Sequence, residues 1–553
     1  MPAETIQHSK RAHVAAQPVP SVAERRAAIE AEPLPRNIAD LIAEASRAGG
    51  DRLVWNFFES GETLSYRELE PRVHALADGL RSIGVRHGSH VAVMMPNKAA
   101  MPLTWLAIAT IGAVMVPVNN SYSEREIVYV LSDSETEYAV VDETCLAAVE
   151  SVLQRGELTL DPAKIVVSGS APKTYHSLEA LMRHEPRSAF VDPAVGHDDL
   201  LNIQYTSGTT GFPKGCMLSQ RYWIGAGKVN AFRDGRRYRN ILASTPFYYM
   251  DPLWLLLMSL YQRATLHVAK RQSASRFMEW VRLHEIEFCL LPAITIKQPP
   301  HPQDRENAII RSNVYGVSRL THAALEERFD LCAREAFGMT EIGPTLFMPI
   351  EAVDMVGSGS CGVPCPFREV RIADEQGNTL PPGETGELLV RGPGILKGYY
   401  NRPEATRDAF HGDWFRTGDL FRMDERGYFY IVGRIKDAIR RSGENIAARE
   451  VESVLSSFDG VAEAAAVPVP DEIRGEEIKA LIVWGEGTAT EQDLAALIAH
   501  CQRNLAPFKV PRYFQFVAEL PKTSSGKIAK HQLKAAIPHP LAPVHDRAAT
   551  ASS

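Results

Sequence analysis

At 553 residues the chain is several times the roughly 150 that make a typical domain, so two or three compact units, each with its own core, are expected. Sixty Lys and Arg stand against 67 Asp and Glu, a net charge of −7, and 45% of the residues are hydrophobic. This balance excludes a chain-wide basic surface for nucleic acid, a solvating acidic tail and a coiled coil.

Residues 1–35, rich in Ala, Pro, Glu and Arg with little apolar periodicity, read as a flexible tail without the apolar core of a secretory signal. Seven cysteines, an odd number scattered along the chain, fit a reducing, cytoplasmic compartment. Cys361 and Cys365 lack a second ligand pair at metal spacing and read as buried thiols. Helices and strands then alternate: helix Ser65–Ile83, strand His90–Met95, helix Glu124–Ser132, strand Tyr138–Val141. Between the first two and the last two lies the uncharged run Ala99–Val118, interrupted by Pro102, Gly112 and Pro117. It reads as a buried helix entering a parallel strand, not as a membrane span. A second βαβ pattern is expected from Leu200 to Pro292. From about 357 to 432, short strands broken by glycine and proline predict a small antiparallel unit, and after Gly433 a mixed α+β pattern returns. The fold class is α/β, with domains at 36–435 and 436–536 and a loose tail at 537–553.

The segment from Tyr205 to Gly215 (YTSGTTGFPKG) follows an apolar strand and precedes a helix expected from Ser219. Its glycines permit tight turns with N–H groups pointing inward. Thr206, Ser207, Thr209 and Thr210 add hydroxyls and Lys214 a point charge, a composition suited to polyphosphate. It lacks the Walker A spacing. The lone G-x-G-x-x-G at Gly357–Gly362 is followed by two prolines where a dinucleotide-binding helix would open, so a Rossmann reading fails.

The run YTSGTTGFPKG resembles the phosphate loop of the adenylate-forming superfamily of acyl-CoA synthetases, adenylation domains and luciferases. Four further segments resemble that family's motifs in order: Phe337–Glu341, Trp414–Leu420, Gly433–Asp437 and Pro521–Lys527. The resemblance spans about residues 36–536 and is strongest to AMP-forming acyl-CoA ligases. The link Leu291–Tyr315 resembles the crotonobetaine/carnitine-CoA ligase branch. It implies a large N-terminal domain of αβαβα parallel sheets and a small mobile C-terminal domain. The implied reaction converts a carboxylic acid with ATP to an acyl adenylate and pyrophosphate, and then with coenzyme A to a thioester and AMP.

The resemblance assigns roles residue by residue. Lys527 bridges carboxylate and α-phosphate, Glu341 holds Mg²⁺, and Thr340 donates to a phosphate oxygen. Ser207, Gly208, Thr209, Thr210 and Gly211, with Thr206 and Lys214, wrap the phosphates. Gly316, Phe337 and Gly338 border adenine, Asp419 accepts from the ribose hydroxyls, and Arg434 lies near ribose and phosphates. Lys436 is the hinge, and Arg440 and Gly443, with Arg441, face CoA after domain rotation. Tyr249, Met250, Trp254 and Val317 line the acyl pocket. Asp251 reads either as a helix cap beside Pro252 or as a partner for a cationic or hydroxylated acid. The family's usual tyrosine is Phe337 here, and its Gly-Gly-Ala-Pro segment is replaced by Tyr315–Ser318. The partners implied are the acid, ATP and CoA, without nucleic acid, as a monomer or homodimer. Two alternatives stay open: loading of a carrier protein, or a non-catalytic nucleotide-binding regulator.

Overall fold

The computed structural model describes residues 9–184, 194–206, 213–315, 319–441, 444–471, 474–485, 487–522, 527–535 and 545–547. A first sheet runs in the order His176–Ser177, Ile165–Ser168, Tyr138–Asp142, His90–Met94, Val114–Pro117, Leu200–Thr206, Lys214–Ser219, parallel except for its last strand. Its Val-rich central strands are buried on both faces, as a sheet covered by helices on each side requires. A second parallel sheet is built from Leu53–Phe57, Thr265–Val268, Asn240–Ala243, Phe288–Leu290, Arg311–Val314 and Ala333–Met339. Helices Ile38–Gly49, Tyr66–Ser82, Ala100–Ile111, Gln220–Phe232 and Met250–Gln262 contribute to the large core shared by both sheets. The outer faces are covered by Glu124–Asp133 and Glu143–Gln154 on one side and by Phe277–Leu283 and Arg319–Phe329 on the other. This is the expected αβαβα layering.

Every residue of the Ala100–Ile111 helix is buried. Its indole Trp105 Nε1 donates to Asn202 Oδ1 at 3.0 Å, and the helix stops at Gly112, whose φ of 79° puts it in the left-handed region. Among the described residues no helix is long and apolar enough to cross a membrane.

Two expectations are corrected. The strand Leu200–Thr206 pairs with Val114–Pro117 of the first sheet and folds back as a hairpin onto Lys214–Ser219, so the second parallel sheet does not start there. The short Lys214–Ser219 strand carries glycine beside its apolar residues and gives little strand signal. The antiparallel strands Glu369–Ala373, Thr385–Arg391, Trp414–Met423 and Phe429–Arg434 form the small unit expected there, and it is hydrogen-bonded through Ser360–Pro364 and Gly343–Phe347 into the second sheet. The N-terminal segment from residue 9 is not loose: helices Lys10–Ala16 and Val22–Ala31 are docked by polar contacts to distant residues. Ser9 Oγ donates to Asp330 Oδ1 at 2.5 Å, Arg25 Nε to the Arg233 carbonyl at 2.9 Å, and Arg236 to the Val14 carbonyl at 2.9 Å. Periodicity does not register anchoring of this kind. At the other end, His545–Asp546 pairs with Tyr513–Phe516, and residues 536–544 and 548–553 lie outside the described residues.

The C-terminal sheet comprises Ala438–Arg441, Glu444–Ala447, Val461–Asp471, Gly475–Trp484, Tyr513–Phe516 and His545–Asp546. Helices Ala448–Ser456 and Glu491–Asn504 share its core. It meets the larger unit closely: a Cβ on Gly433 would lie 2.8 Å from Ala447 Cβ, and Lys297 Nζ donates to the Ala462 carbonyl at 3.0 Å. All seven cysteines are buried and unpaired, and among the described residues no group of three or more His, Cys, Asp or Glu could hold a metal.

Candidate active site

Thr206 and Lys214 face each other in the antiparallel pairing that closes the hairpin, so the expected phosphate loop is the connection between two strands of the first sheet. Ser207, Gly208, Thr209, Thr210 and Gly211 lie outside the described residues, as do Gly316, Val317 and Gly443. Lys214 Nζ stands 3.8 Å from the centroid of the Tyr399 ring. The Tyr399 hydroxyl donates to Glu341 Oε1 at 3.0 Å, and Glu341 is 8% exposed. Burial, reinforced by the Glu341 charge, pushes the Tyr399 phenol far above its ordinary value, so it remains a donor. Thr340, half-buried, precedes Glu341 in the turn between the paired strands Ala333–Met339 and Gly343–Phe347. That turn is tight: a Cβ on Gly338 would meet the Gly343 carbonyl oxygen at 2.5 Å.

Asp419 and Arg434 come from neighbouring antiparallel strands and are register partners. Arg434 Nε donates to Asp419 Oδ1 at 2.9 Å; the aspartate side chain is 2% exposed and the arginine 46%. Burial raises the Asp419 carboxyl above its usual range, against the opposing pull of Arg434 and Arg449. Phe337 is half-buried, with its ring 4.9 Å from Phe421 and inclined at 71°.

Lys527 is exposed, yet it lies within the electrostatic reach of Arg434, Asp251, Asp419 and Glu341. Crowding by protein lowers its ammonium value, Arg434 acts in the same sense, and the three carboxylates oppose. Charged residues of three earlier motifs thus lie within electrostatic reach of Lys527.

Where the acid is expected to bind, the Tyr248 and Tyr249 rings lie 4.7 Å apart, and Tyr249 immediately precedes the helix Met250–Gln262. Asn97 pins this segment, accepting from the Phe247 N–H at 2.9 Å while its amide donates to the carbonyls of Thr245 and Ala269. Gln204 Nε2, on the strand entering the phosphate loop, donates to the Tyr248 carbonyl at 2.9 Å. Trp254 is 8% exposed, with its ring 6.3 Å from that of Phe288. Asp251 is not the helix cap. It falls within the first turn and accepts from Trp254 Nε1 at 3.1 Å; burial raises its carboxyl value, opposed by Trp254 and Lys527.

Lys436 is exposed in the short turn Ile435–Asp437 that joins the two units. Arg440 is exposed on a strand, but Arg441 is not available to CoA phosphates. Its Nε donates to the buried Glu477 at 2.8 Å, and the arginine side chain is itself only 9% exposed. Two residues escaped the sequence reading. Tyr399 sits in the run Lys397–Tyr400, which carries only a turn-and-strand signal, and Arg449 opens a helix whose charge reaches Asp419 only through the fold.

Glu341 fits the carboxylate that a nucleotide-bound Mg²⁺ takes: it is a hard oxygen donor, and among the described residues only Oε1 carries a hydrogen bond.

The sequence model for "AMP-binding enzyme" matches residues 42–400, and that for "AMP-binding enzyme C-terminal domain" matches residues 450–527. The chain is 34% identical over 506 residues to a sulfoacetate–CoA ligase of Cupriavidus necator, covering 90% of this chain and 97% of that one. It is 33% identical over 482 residues to a feruloyl-CoA synthase of an Amycolatopsis species, covering 86% and 94% respectively. ATP-bound MatB from Rhodopseudomonas palustris shares its fold with a TM-score of 0.79 at 26% identity, covering 90% of this chain and 98% of that one.

Proposed function

The chain belongs to the family of AMP-binding enzymes, and from that premise we infer that it works as an AMP-forming acid:CoA ligase using ATP, Mg²⁺ and coenzyme A. What supports the assignment of roles is that Asp419 and Arg434 pair across adjacent strands, and that Lys527 lies within electrostatic reach of both and of Glu341.

The chemical problem is repulsion between a carboxylate and the α-phosphate. In the proposed first step a carboxylate oxygen attacks the α-phosphorus, and the bond to the β-phosphate oxygen breaks with loss of pyrophosphate. Lys527 supplies one ammonium between the two anions, a fixed positive charge where negative charge crowds in the transition state. Asp419 accepts from the ribose hydroxyls, Phe337 offers a ring to adenine, and Thr340 and Lys214 contact phosphates. Mg²⁺, held by Glu341, offsets phosphate charge when bound. In the second step the CoA thiol, losing its proton, attacks the acyl carbonyl and AMP departs.

Lys527 belongs to the C-terminal unit, so it must withdraw for CoA to reach the adenylate. We place the hinge at Lys436, with the large domain at 36–435 and the mobile one at 436–536. The electrostatic reach of Lys527 to Asp419 and Glu341 supports reading this arrangement as the adenylate-forming half of that cycle. The paired tyrosines and Asp251 support an acid with a ring or a hydrogen-bonding or cationic group in its tail.

The test is a panel of aromatic, short-chain, sulfonated and trimethylammonium-bearing carboxylic acids, each with ATP and CoA. Pyrophosphate and thioester are read separately. One acid giving both in equal amounts is expected. Pyrophosphate release without thioester for every acid would turn the reading toward a carrier-protein acceptor, and neither product with any acid would refute it.

A further inference from the structure

Tyr399 is held by more than its own side chain. The Lys397 N–H donates to the Met217 carbonyl, the Met217 N–H to the Gly398 carbonyl, and the Tyr400 N–H to the Gly215 carbonyl, at 2.9, 2.9 and 2.8 Å. The run therefore adds itself to the outer edge of the Lys214–Ser219 strand, directly after the phosphate loop. One residue earlier, the Leu396 N–H donates to the Glu341 carbonyl at 2.7 Å. A single stretch of backbone thus ties the Lys214 strand to the Glu341 turn, with Tyr399, 5% exposed, between them.

The ring separates two opposite charges. Its hydroxyl binds Glu341 Oε1 at 3.0 Å and its face takes the Lys214 ammonium at 3.8 Å. Among the described residues Lys214 and Glu341 form no ion pair with each other. Left unspaced, an ammonium and a carboxylate this near would collapse together, and each would be lost to a ligand carrying phosphates and a metal ion. The hydrogen bond engages Oε1, and among the described residues Oε2 accepts none.

We propose that Tyr399 is a positioning residue that keeps Glu341 and Lys214 apart and aimed at the Mg²⁺-bound phosphates of ATP, an inference that rests on the reading of Glu341 as the metal-facing carboxylate. It acts through the other two side chains and touches no reacting atom.

The test is calorimetric binding of α,β-methylene ATP to the full chain, without acid, in Mg²⁺ and in EDTA. Tyr399→Phe keeps the ring and removes only the hydroxyl. It should weaken the Mg²⁺ complex about tenfold, as loss of an outer-shell partner does, and leave metal-free affinity within about twofold. Tyr399→Leu should weaken both, and its metal-free loss reads the release of Lys214. Glu341→Gln separates the two claims. If that variant binds the Mg²⁺ complex like the wild type, the reading of Glu341 fails. If it abolishes the gain from Mg²⁺ while Tyr399→Phe matches the wild type in both conditions, the positioning role is overturned and the reading of Glu341 stands. Tyr399→Phe is isosteric, so its result decides the matter even if Tyr399→Leu does not fold.

Discussion

Replacing Asp419 with Asn removes one charge and little volume, and the structure separates its effect on stability from its effect on the nucleotide. The Asp419 side chain is 2% exposed, but its partner Arg434 is 46% exposed and can be hydrated once the pair is broken. The large penalty of stranding a buried charge therefore does not apply, and a half-exposed pair contributes at most about 1 kcal/mol. The neutral amide also relieves the burial that raises the Asp419 carboxyl value. Net stability should move by less than about 1 kcal/mol. Binding is another matter. A carboxylate receiving two ribose hydroxyls makes two charge-assisted hydrogen bonds, and an amide keeps one acceptor of lower charge. Losing one such bond costs about 1.5–3 kcal/mol, or about 10- to 150-fold in ATP affinity. Pyrophosphate exchange at varied ATP reads this as a raised KM, and repeating it with 2′,3′-dideoxy-ATP closes the cycle, because the variant's penalty should vanish when the hydroxyls are gone. An equal penalty with ATP and with the dideoxy analogue would refute the assignment of Asp419 to the ribose, as would a loss of activity that only follows a fall in melting temperature.

Two further outcomes are expected. His267 is buried beside His284, and burial drops its pKa from 6.5 to about 3. The unfolded chain takes up a proton at this site that the folded chain refuses, so the contribution to stability is full above about pH 6.5 and is lost as pH falls toward 3. His267→Gln should flatten the urea midpoint against pH across that window, and parallel curves for variant and wild type would contradict the linkage. Lys436→Pro, which stiffens the Ile435–Asp437 turn, should slow the overall cycle several-fold while leaving ATP affinity within about twofold; an unchanged cycle would remove the hinge from that position.

Much of this architecture was legible because buried parallel strands and amphipathic helices write their periodicities plainly. The helix Glu124–Asp133 ends one residue past its expected bound, and the run Ala99–Val118 divides as expected into the helix Ala100–Ile111 and the strand Val114–Pro117. What was not legible depends on partners far away in sequence. The N-terminal helices are docked through Ser9, Arg25 and Arg236, and no local pattern announces an arginine aimed at a carbonyl 208 residues distant. The basic pair Arg440–Arg441 reads as a uniform anion site, yet one member is consumed by Glu477. The motifs named Glu341, Asp419 and Lys527 without saying that Lys527 comes within electrostatic reach of the other two. Tyr399, which links Glu341 to Lys214, lies in the glycine-broken run Gly392–Tyr400, where nothing local marks its partners, and its role emerges only when the strands are paired.

The most direct test of the central claim is the division of labour assigned to Lys527. In Lys527→Ala, with the acid selected by the panel, ATP–pyrophosphate exchange should fall at least about 100-fold, the scale of losing one preorganised electrostatic contact. Thioester formation from the synthetic acyl adenylate and CoA should stay within about threefold of wild type, because that step is served after the ammonium has withdrawn. Equal losses in both half-reactions, or exchange that survives the substitution, would contradict the account.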